Sequence, residues 1–291
     1  MTNDNYVFFC DSNCELWFSV VDELGINVIS MPYTLDGKEY FYDLGRKTDL
    51  KHFYDRVRAG ATPVTSALNP QNYIDHFEPV LAAGKDILYV TFSQAMSGTF
   101  EFMEQAVKEL KAKYPQRRIT AVDTKNISGG AALLVCAAAR LYGEGKSAEE
   151  VAAFVEKTRA LTRARFVVND LFHLKRGGRI SGFSAVFGSI FQIKPILHCN
   201  KHGRIEVFAK AKGRRTAIER LFRSEADAGI DLSYPVGIFN ADASAEDCEM
   251  LAELLRREYK HEITLWRYPI GPVVGTHCGP DTLGLAFISK K

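Results

Sequence analysis

The chain has 291 residues, of which 46 % are hydrophobic and 25 % are charged. These values are typical of a globular protein and exclude a disordered chain, and the length allows one large core or, more readily, two smaller ones. The formal net charge is +2, from 37 basic and 35 acidic residues, so charge gives no case for a nucleic-acid partner.

Hydrophobic periodicity predicts alternating strands and helices in the first half of the chain. Predicted strands cover residues 6–10, 86–92 and 118–123, extended segments 27–35 and 38–44 flank a hairpin turn, and helices cover residues 50–58, a segment ending near 113 and the Ala-rich segment after 130. Such alternation is typical of parallel α/β layers.

The second half of the chain begins with the same alternation of helix and strand, and successive strands then follow one another. Predicted helices cover residues 148–161, 214–223 and 245–258, and predicted strands cover 165–169, 193–199, 204–212, 234–241, 262–270 and 283–289. The hairpin between the strands 193–199 and 204–212 is antiparallel, which indicates a second domain of different construction. We therefore predict one α/β domain over residues 1–164 and another over 165–291.

The six cysteines are scattered, mostly in apolar surroundings, as is typical of reduced thiols in a cytoplasmic protein. Cys10 and Cys14 have no second pair nearby, so we predict no zinc site and no other metal. No stretch approaches the roughly 20 apolar residues that cross a bilayer, and we predict no transmembrane segment.

Three loops that follow strands in the first half carry hydroxyl groups and small residues. They are TPVTSALNP at 62–70, SQAMSGT at 93–99 and TKNISGG at 124–130. In parallel sheets, ligands bind beyond the carboxyl ends of the strands, and helix starts offer N–H groups to an anion. The alternative is that these hydroxyl groups only cap helices.

The stretch at 166–197 joins a cationic turn, KRGGR at 175–179, to a long apolar run. It is either an ordinary loop that leads into a core helix or a site that holds an anion at one end and hydrocarbon along the rest. Nucleotide motifs are absent: GEGKS at 143–147 has Arg140 where a phosphate loop requires glycine. No G-x-S-x-G elbow of a serine hydrolase occurs either.

Several segments together resemble the DegV family. They are TSALNP, SQAMSGTF, VDTKNISGG, the stretch at 166–197 and IGPVVGTHCGPDTLGLAF, in this order, and the KRGGRIS and GTHCGP blocks are the most specific. Members of this family are bacterial fatty-acid-binding proteins that serve as lipid-presenting subunits of a fatty-acid kinase. The resemblance implies two α/β domains, the first with a mostly parallel sheet and flanking helices, the second with a mixed sheet and helices, and the ligand between them.

The resemblance also implies roles for individual residues. The expected carboxylate-binding residues are Thr65, Ser66, Ser97, Gly98, Thr99 and His277. Arg176 and Arg179 are expected to serve the acyl phosphate and its presentation. The expected acyl tunnel consists of Phe183, Val186, Phe187, Ile190, Phe191 and Ile193. Where the family has TSQPS this chain has TSALN, which puts the shape of that loop in question.

By the same resemblance the chain carries a long-chain fatty acid, has no cofactor of its own and performs no catalysis alone. A separate kinase subunit brings ATP and magnesium, and an acyltransferase that uses the acyl phosphate is a further partner that this role allows. The implied location is the cytoplasm, with transient contact with the inner membrane surface also allowed. Two alternatives stay open: a stand-alone acyl hydrolase that uses Ser97 and His277, and a carrier or regulator that binds another amphiphile, such as a retinoid or a sterol-like molecule.

Overall fold

The computed structural model describes residues 5–169, 171–180, 193–223 and 229–290, except for the side chain at 261. In chain order the first elements are β1 (Tyr6–Asp11), α1 (Phe18–Leu24), β2 (Asn27–Ile29), β3 (Pro32–Leu35), β4 (Lys38–Phe41), α2 (Leu50–Arg58), β5 (Val64–Thr65), α3 (Pro70–Ala82), β6 (Asp86–Thr91), α4 (Thr99–Lys113), β7 (Ile119–Asp123), α5 (Gly129–Gly143) and α6 (Ala148–Thr158). The later elements are β8 (Thr162–Val167), α7 (Phe172–Arg176), β9 (Ile193–Cys199), β10 (Ile205–Lys212), α8 (Arg214–Arg223), β11 (Val236–Asn240), α9 (Ala245–Tyr259), β12 (Leu265–Pro269), α10 (Pro272–Cys278) and β13 (Leu283–Ile288). Short 3-10 helices lie at Ser12–Cys14, Gln94–Met96 and Lys260–Glu262.

The first half is built on a parallel four-stranded sheet in the order β2-β1-β6-β7. The central strands β1 and β6 are buried along almost their whole length. A parallel strand covered on both faces needs a continuous apolar run, and YVFFC and ILYV supply it. A small antiparallel sheet, β4-β3-β5, lies beside this layer and contains the predicted hairpin turn.

The second half is built on a mixed six-stranded sheet in the order β10-β9-β8-β13-β11-β12. Only β11 and β12 pair in parallel, and the other neighbours are antiparallel. The predicted parallel first sheet and differently built second sheet are both confirmed. The expected domain boundary at 164/165 falls inside β8, and all of β8 belongs to the six-stranded sheet.

The helix α5 lies between the two sheets. On one side the rings of Tyr142 and Tyr6 are 5.0 Å apart, and on the other side the first residues of α5 contact β8 and β13. A single hydrophobic cluster therefore runs from the parallel sheet across α5 to the inner face of the six-stranded sheet. A second cluster lies on that sheet's outer face, beneath α8 and α9.

Several predicted elements are confirmed almost to the residue, and others differ for local reasons. The single extended segment predicted at 27–35 is two strands in different sheets, β2 and β3, and β8 starts three residues before the predicted strand. Helix α10 was not predicted, because it has seven residues and contains Gly275 and Thr276, which favour helix only weakly. The cationic turn at 175–179 begins as the end of helix α7.

The two halves also meet at the tip of the hairpin between β9 and β10. The backbone oxygen of Gly203 accepts a hydrogen bond from Ser93 at 2.8 Å, and Gly203 has a φ of +75°. A Cβ at this position would lie 2.1 Å from Ser93 Oγ and 3.2 Å from Lys125 Cα. Within the described ranges, no helix is long and apolar enough to cross a membrane.

We expect Gly203→Ala to lower the free energy of unfolding by at least about 1 kcal/mol more than Gly37→Ala, because overpacking adds to backbone strain. Gly37 is the matched control, since it also sits in a hairpin turn with a φ of +79° but has no neighbouring atom within 4 Å of an added Cβ. Urea unfolding of both variants measures the difference. Equal losses would show that the hairpin tip does not contribute to holding the halves together.

Candidate functional site

A pocket lies where the carboxyl ends of β1, β6 and β7 face the inner side of the six-stranded sheet and α10. The pocket and the solvent space at its mouth together occupy about 950 Å³. Of the residues expected to bind a carboxylate or acyl phosphate, the pocket is lined by Thr65, Ser66, Ser97, Arg179 and His277. Residues from separate parts of the chain thus meet at one place.

Most of the remaining lining is apolar. It includes Met31, Phe92, Met96, Ile127, Leu174, Ile205, Phe239, Ile270, Val273 and Val274. From Ile270 to His277 the lining positions recur at the spacing of one helix face, so α10 forms an apolar wall with a polar end. On the sheet side the wall contains Ala164, Gly284 and Ala286, whose small size leaves room for a ligand.

The polar end is organised around a contact between β5 and α10. Thr65 Oγ1 and His277 Nε2 are 2.8 Å apart. Burial, and next the positive charges of Arg179 and Arg176, lower the pKa of His277 to about 4. The imidazole is therefore neutral at pH 7, and one ring nitrogen carries its single proton.

The position of that proton follows from the other ring nitrogen. His277 Nδ1 is buried and has no hydrogen-bond partner among the described residues, and a Cβ on Gly177 would lie 2.2 Å from it. A buried N–H without an acceptor is costly, so we assign the proton to Nε2, which donates to Thr65. The hydroxyl hydrogen of Thr65 can then be donated to a ligand.

Ser97 and Thr99 occupy different environments although they belong to the same loop. Ser97 Oγ accepts a hydrogen bond from the backbone N–H of Thr99 at 3.2 Å, which leaves its own O–H to donate. Thr99 is buried, and its Oγ1 accepts from the backbone N–H of Leu68 at 3.1 Å. Neither Thr99 nor its neighbour Gly98 lines the pocket.

The two predicted arginines also differ. Arg179 reaches into the pocket, where its Nε donates to the backbone oxygen of Met96 at 3.1 Å and Nη1 donates to Gly177. Burial lowers the pKa of Arg179, and no carboxylate within the described ranges forms an ion pair with it. A half-buried cation in this position favours an anionic ligand.

Arg176 is the last residue of α7 and lies outside the pocket lining. Its guanidinium lies over the ring of Phe172, 5.6 Å from the centroid, and Nη2 is 3.3 Å from His173 Nδ1. The chain then turns at Gly178, which has a φ of +68°. This turn, in a conformation that glycine adopts readily, directs Arg179 back toward Met96.

The expected acyl tunnel is described only at one position. Ile193 begins β9 and is half-buried, but it does not line the pocket. The five other positions, Phe183, Val186, Phe187, Ile190 and Phe191, lie outside the described residues. The apolar lining that is described comes from α10, the six-stranded sheet and first-half residues such as Phe92 and Met96, and sequence reasoning missed the contribution of α10. The signal in α10 was Pro272 after Gly271, a helix-start pattern.

In the part of the chain that the structure describes, no group of three or more His, Cys, Asp or Glu residues could hold a metal ion. The arrangement is suited to binding one anionic head group at one end of an apolar pocket.

Comparison with known proteins gives consistent results over nearly the whole chain. A family model described as "Uncharacterised protein, DegV family" matches residues 7–290. A DegV domain-containing protein of Clostridium perfringens is 39 % identical over 284 residues, which cover 97 % of this chain and 97 % of that protein.

Two solved structures have the same architecture. A DegV family protein from Thermus thermophilus, described by its fatty-acid binding, has a TM-score of 0.83 at 28 % identity, covering 98 % of this chain and 99 % of that one. The fatty acid binding DegV family protein of Streptococcus agalactiae has a TM-score of 0.83 at 26 % identity, covering 99 % of both chains. These comparisons confirm the two-domain α/β fold that the sequence resemblance implied.

The lowered pKa of His277 predicts a defined pH dependence of stability. The unfolded chain takes up a proton near pH 6.5, whereas the folded protein does so only near pH 4. The stabilisation is therefore fully present above pH 6.5 and is lost as the pH falls toward 4, by up to about 3 kcal/mol. We expect His277→Gln to lose less stability than the unsubstituted protein between pH 7 and pH 4.

Urea unfolding at several pH values and an NMR titration of the ring measure this effect. The exposed His52 provides the control variant His52→Gln, which should keep the original pH dependence. A His277 ring that takes up its proton near pH 6.5 would contradict the assignment of a buried neutral imidazole.

Proposed function

The chain belongs to the DegV family, and on this premise we propose that it binds a long-chain fatty acid and presents the carboxylate to a separate kinase subunit. The observation that carries the proposal is the division of the pocket into an apolar length and one cationic, hydroxyl-bearing end. The fatty-acid binding described for the relatives from Thermus thermophilus and Streptococcus agalactiae supports it.

The apolar length suits an acyl tail. Each buried methylene is worth roughly 0.8 kcal/mol, so seven of them would contribute about 5.6 kcal/mol. The wall formed by Val273, Val274 and the small residues of β13 offers such contacts. Most of the affinity then comes from the tail, and the polar end determines which way the molecule enters.

The polar end suits a carboxylate. Thr65 and Ser97 each have a hydroxyl hydrogen that the bonds described above leave available, and Arg179 supplies a positive charge that has no carboxylate partner in the described ranges. Hydrogen bonds to a charged group are stronger than those between neutral groups. A bound carboxylate would also satisfy the half-buried guanidinium.

Presentation to a kinase is supported by the position of Arg176 and by the family resemblance. Arg176 is exposed on α7, just outside the pocket, where a guanidinium can meet phosphoryl oxygens that a second protein delivers. The chain has no phosphate-binding loop of its own. ATP and magnesium are therefore assigned to the partner.

The geometry argues against a stand-alone acyl hydrolase. His277 is bonded to Thr65, and no described hydrogen bond joins it to Ser97. An imidazole whose pKa is about 4 is a weak general base, and its Nδ1 has no orienting acid within the described part of the chain. A neutral amphiphile such as a retinol or sterol is also disfavoured, because it would leave Arg179 without an anion.

Equilibrium binding of stearic acid to the delipidated protein tests the proposal. We expect tight binding at one molecule per chain and a loss of about 1–3 kcal/mol in Thr65→Val, the range for a hydrogen bond to a charged group. Thr120→Val is the matched control, because Thr120 is also a strand residue but does not line the pocket. Absence of stearic acid binding, or equal losses in both variants, would contradict this assignment of the head group.

The two arginines separate binding from presentation. Because Arg179 lies in the pocket and Arg176 outside it, Arg179→Ala should lower both the affinity for stearic acid and the rate of its phosphorylation. Arg176→Ala should keep affinity within about tenfold but lower turnover by about a hundredfold, the scale expected when the transition state is deprived of one preorganised positive charge.

The assay combines the loaded protein with a purified fatty-acid kinase and ATP, and affinity is measured separately without the kinase. Arg118→Ala is the control, since Arg118 is exposed and away from the pocket. Undiminished turnover in Arg176→Ala would remove the presenting role from this residue.

A further inference from the structure

A second polar position in the pocket has no role in the proposed function. Asn13 lines the pocket with only 3 % of its surface exposed. Its Oδ1 is buried and has no hydrogen-bond partner in the described part of the chain. The backbone of Asn13 is fully used: its N–H donates to Asp11 at 3.0 Å and its carbonyl accepts from Ser128 at 2.8 Å. The side-chain Oδ1 is the atom of Asn13 that remains to be satisfied.

The surroundings of Asn13 are polar, whereas most of the pocket lining is apolar. Its backbone contact with Ser128 places it beside the first residues of α5, and Ser128, Gly129 and Gly130 line the pocket too. Helix α5 has 15 residues, and the first N–H groups of a helix lack partners within the helix. The N–H of Gly130 already donates to Ile127 at 3.2 Å, so this corner offers the acceptor on Asn13 and the N–H of Gly129, for which the structure describes no acceptor.

The corner lies toward the start of α10, whereas His277 lies near the end of that helix. Glu15 links it to α10, because Glu15 Oε2 is 3.3 Å from Ser128 Oγ and Oε1 accepts from the N–H of Gly271 at 2.9 Å. Gly271 precedes the start of α10 and His277 lies near its end. With a helix rise of 1.5 Å per residue, Gly271 and His277 are about 9 Å apart along α10, so we infer that ligand atoms at the Asn13 corner belong to the acyl chain and not to its carboxylate.

The carboxyl group at this corner is neutral. Burial raises the pKa of Glu15 to about 8, so Glu15 is mostly protonated at pH 7 and adds no negative charge beside Asn13. The described groups fit a neutral oxygen that donates one hydrogen bond and accepts another. A hydroxyl group is the smallest ligand group with this property.

We propose that Asn13 forms a second polar subsite, which accepts a hydrogen bond from a hydroxyl group in the middle of the acyl chain. The pocket then takes monohydroxylated long-chain fatty acids as well as unsubstituted ones. This inference rests on the proposed fatty-acid binding and specifies which acids are accepted. In a pocket without such a partner, an added hydroxyl lowers affinity, because its hydrogen bonds to water are lost.

The test compares stearic acid with its 8-, 10- and 12-hydroxy derivatives on the delipidated full-length protein. At least one hydroxy acid should bind within threefold of stearic acid. In Asn13→Leu, which keeps the side-chain size and removes the polar atoms, that acid should lose tenfold or more while stearic acid loses less than threefold. Met31→Leu is the control, since Met31 also lines the pocket and should affect both acids equally.

The inference is overturned if all three hydroxy acids bind more than threefold weaker than stearic acid, as they would if Asn13 held only a water molecule. It is also overturned if Asn13→Leu weakens both kinds of acid equally. Asn13→Ala serves as the second variant if the leucine variant does not fold, and the comparison in the unsubstituted protein needs no variant. Failure to bind stearic acid itself would instead overturn the proposed function.

Discussion

The close approach of α5 to the six-stranded sheet is the contact on which the pocket depends. A Cβ at Gly129 would lie 2.3 Å from the ring of Phe239, and one at Gly130 would lie 2.5 Å from Asn126 Oδ1 and 3.0 Å from Ala164 Cβ. Only glycine fits at both positions without a shift of these neighbours, so the start of α5 packs closely against β8, β11 and β13 and fixes the distance between the two sheets. The pocket lies beside this contact, beyond the first residue of α5. There the six-stranded sheet continues with the small residue Gly284, which the helix does not cover.

The same arrangement explains which part of the site could be predicted from the sequence. Loops that follow parallel strands meet at one edge of a sheet, so Ser97 and the segment around Ser128 could be assigned to a common site from pattern alone. The contact between Thr65 and His277 joins residues 212 positions apart, and no periodicity encodes it; only the family resemblance suggested it. The apolar wall on α10 was missed because the helix has only seven residues and contains Gly275 and Thr276, which favour helix only weakly.

The positive charges of Arg179 and Arg176 at the head-group end have two effects. The charges of Arg179 and Arg176 help to keep His277 neutral, and a neutral ring can hold Thr65 with its hydroxyl hydrogen turned toward a ligand. The same charges attract a carboxylate. A bound anion would offset part of the positive potential and so raise the pKa of His277. Ligand binding would then be coupled to the protonation of His277, although His277 contacts Thr65 and not the ligand.

The head-group residues also come from three separate elements of the fold. Thr65 lies in the three-stranded sheet, Ser97 follows the parallel sheet, and His277 lies on α10, which leads into the six-stranded sheet. Arg179 already links two of these regions through its bond to Met96. Under the proposed function, a carboxylate that accepts hydrogen bonds from Thr65, Ser97 and Arg179 would add a further link, so ligand binding would stabilise the joined arrangement of the two halves as well as fill the pocket.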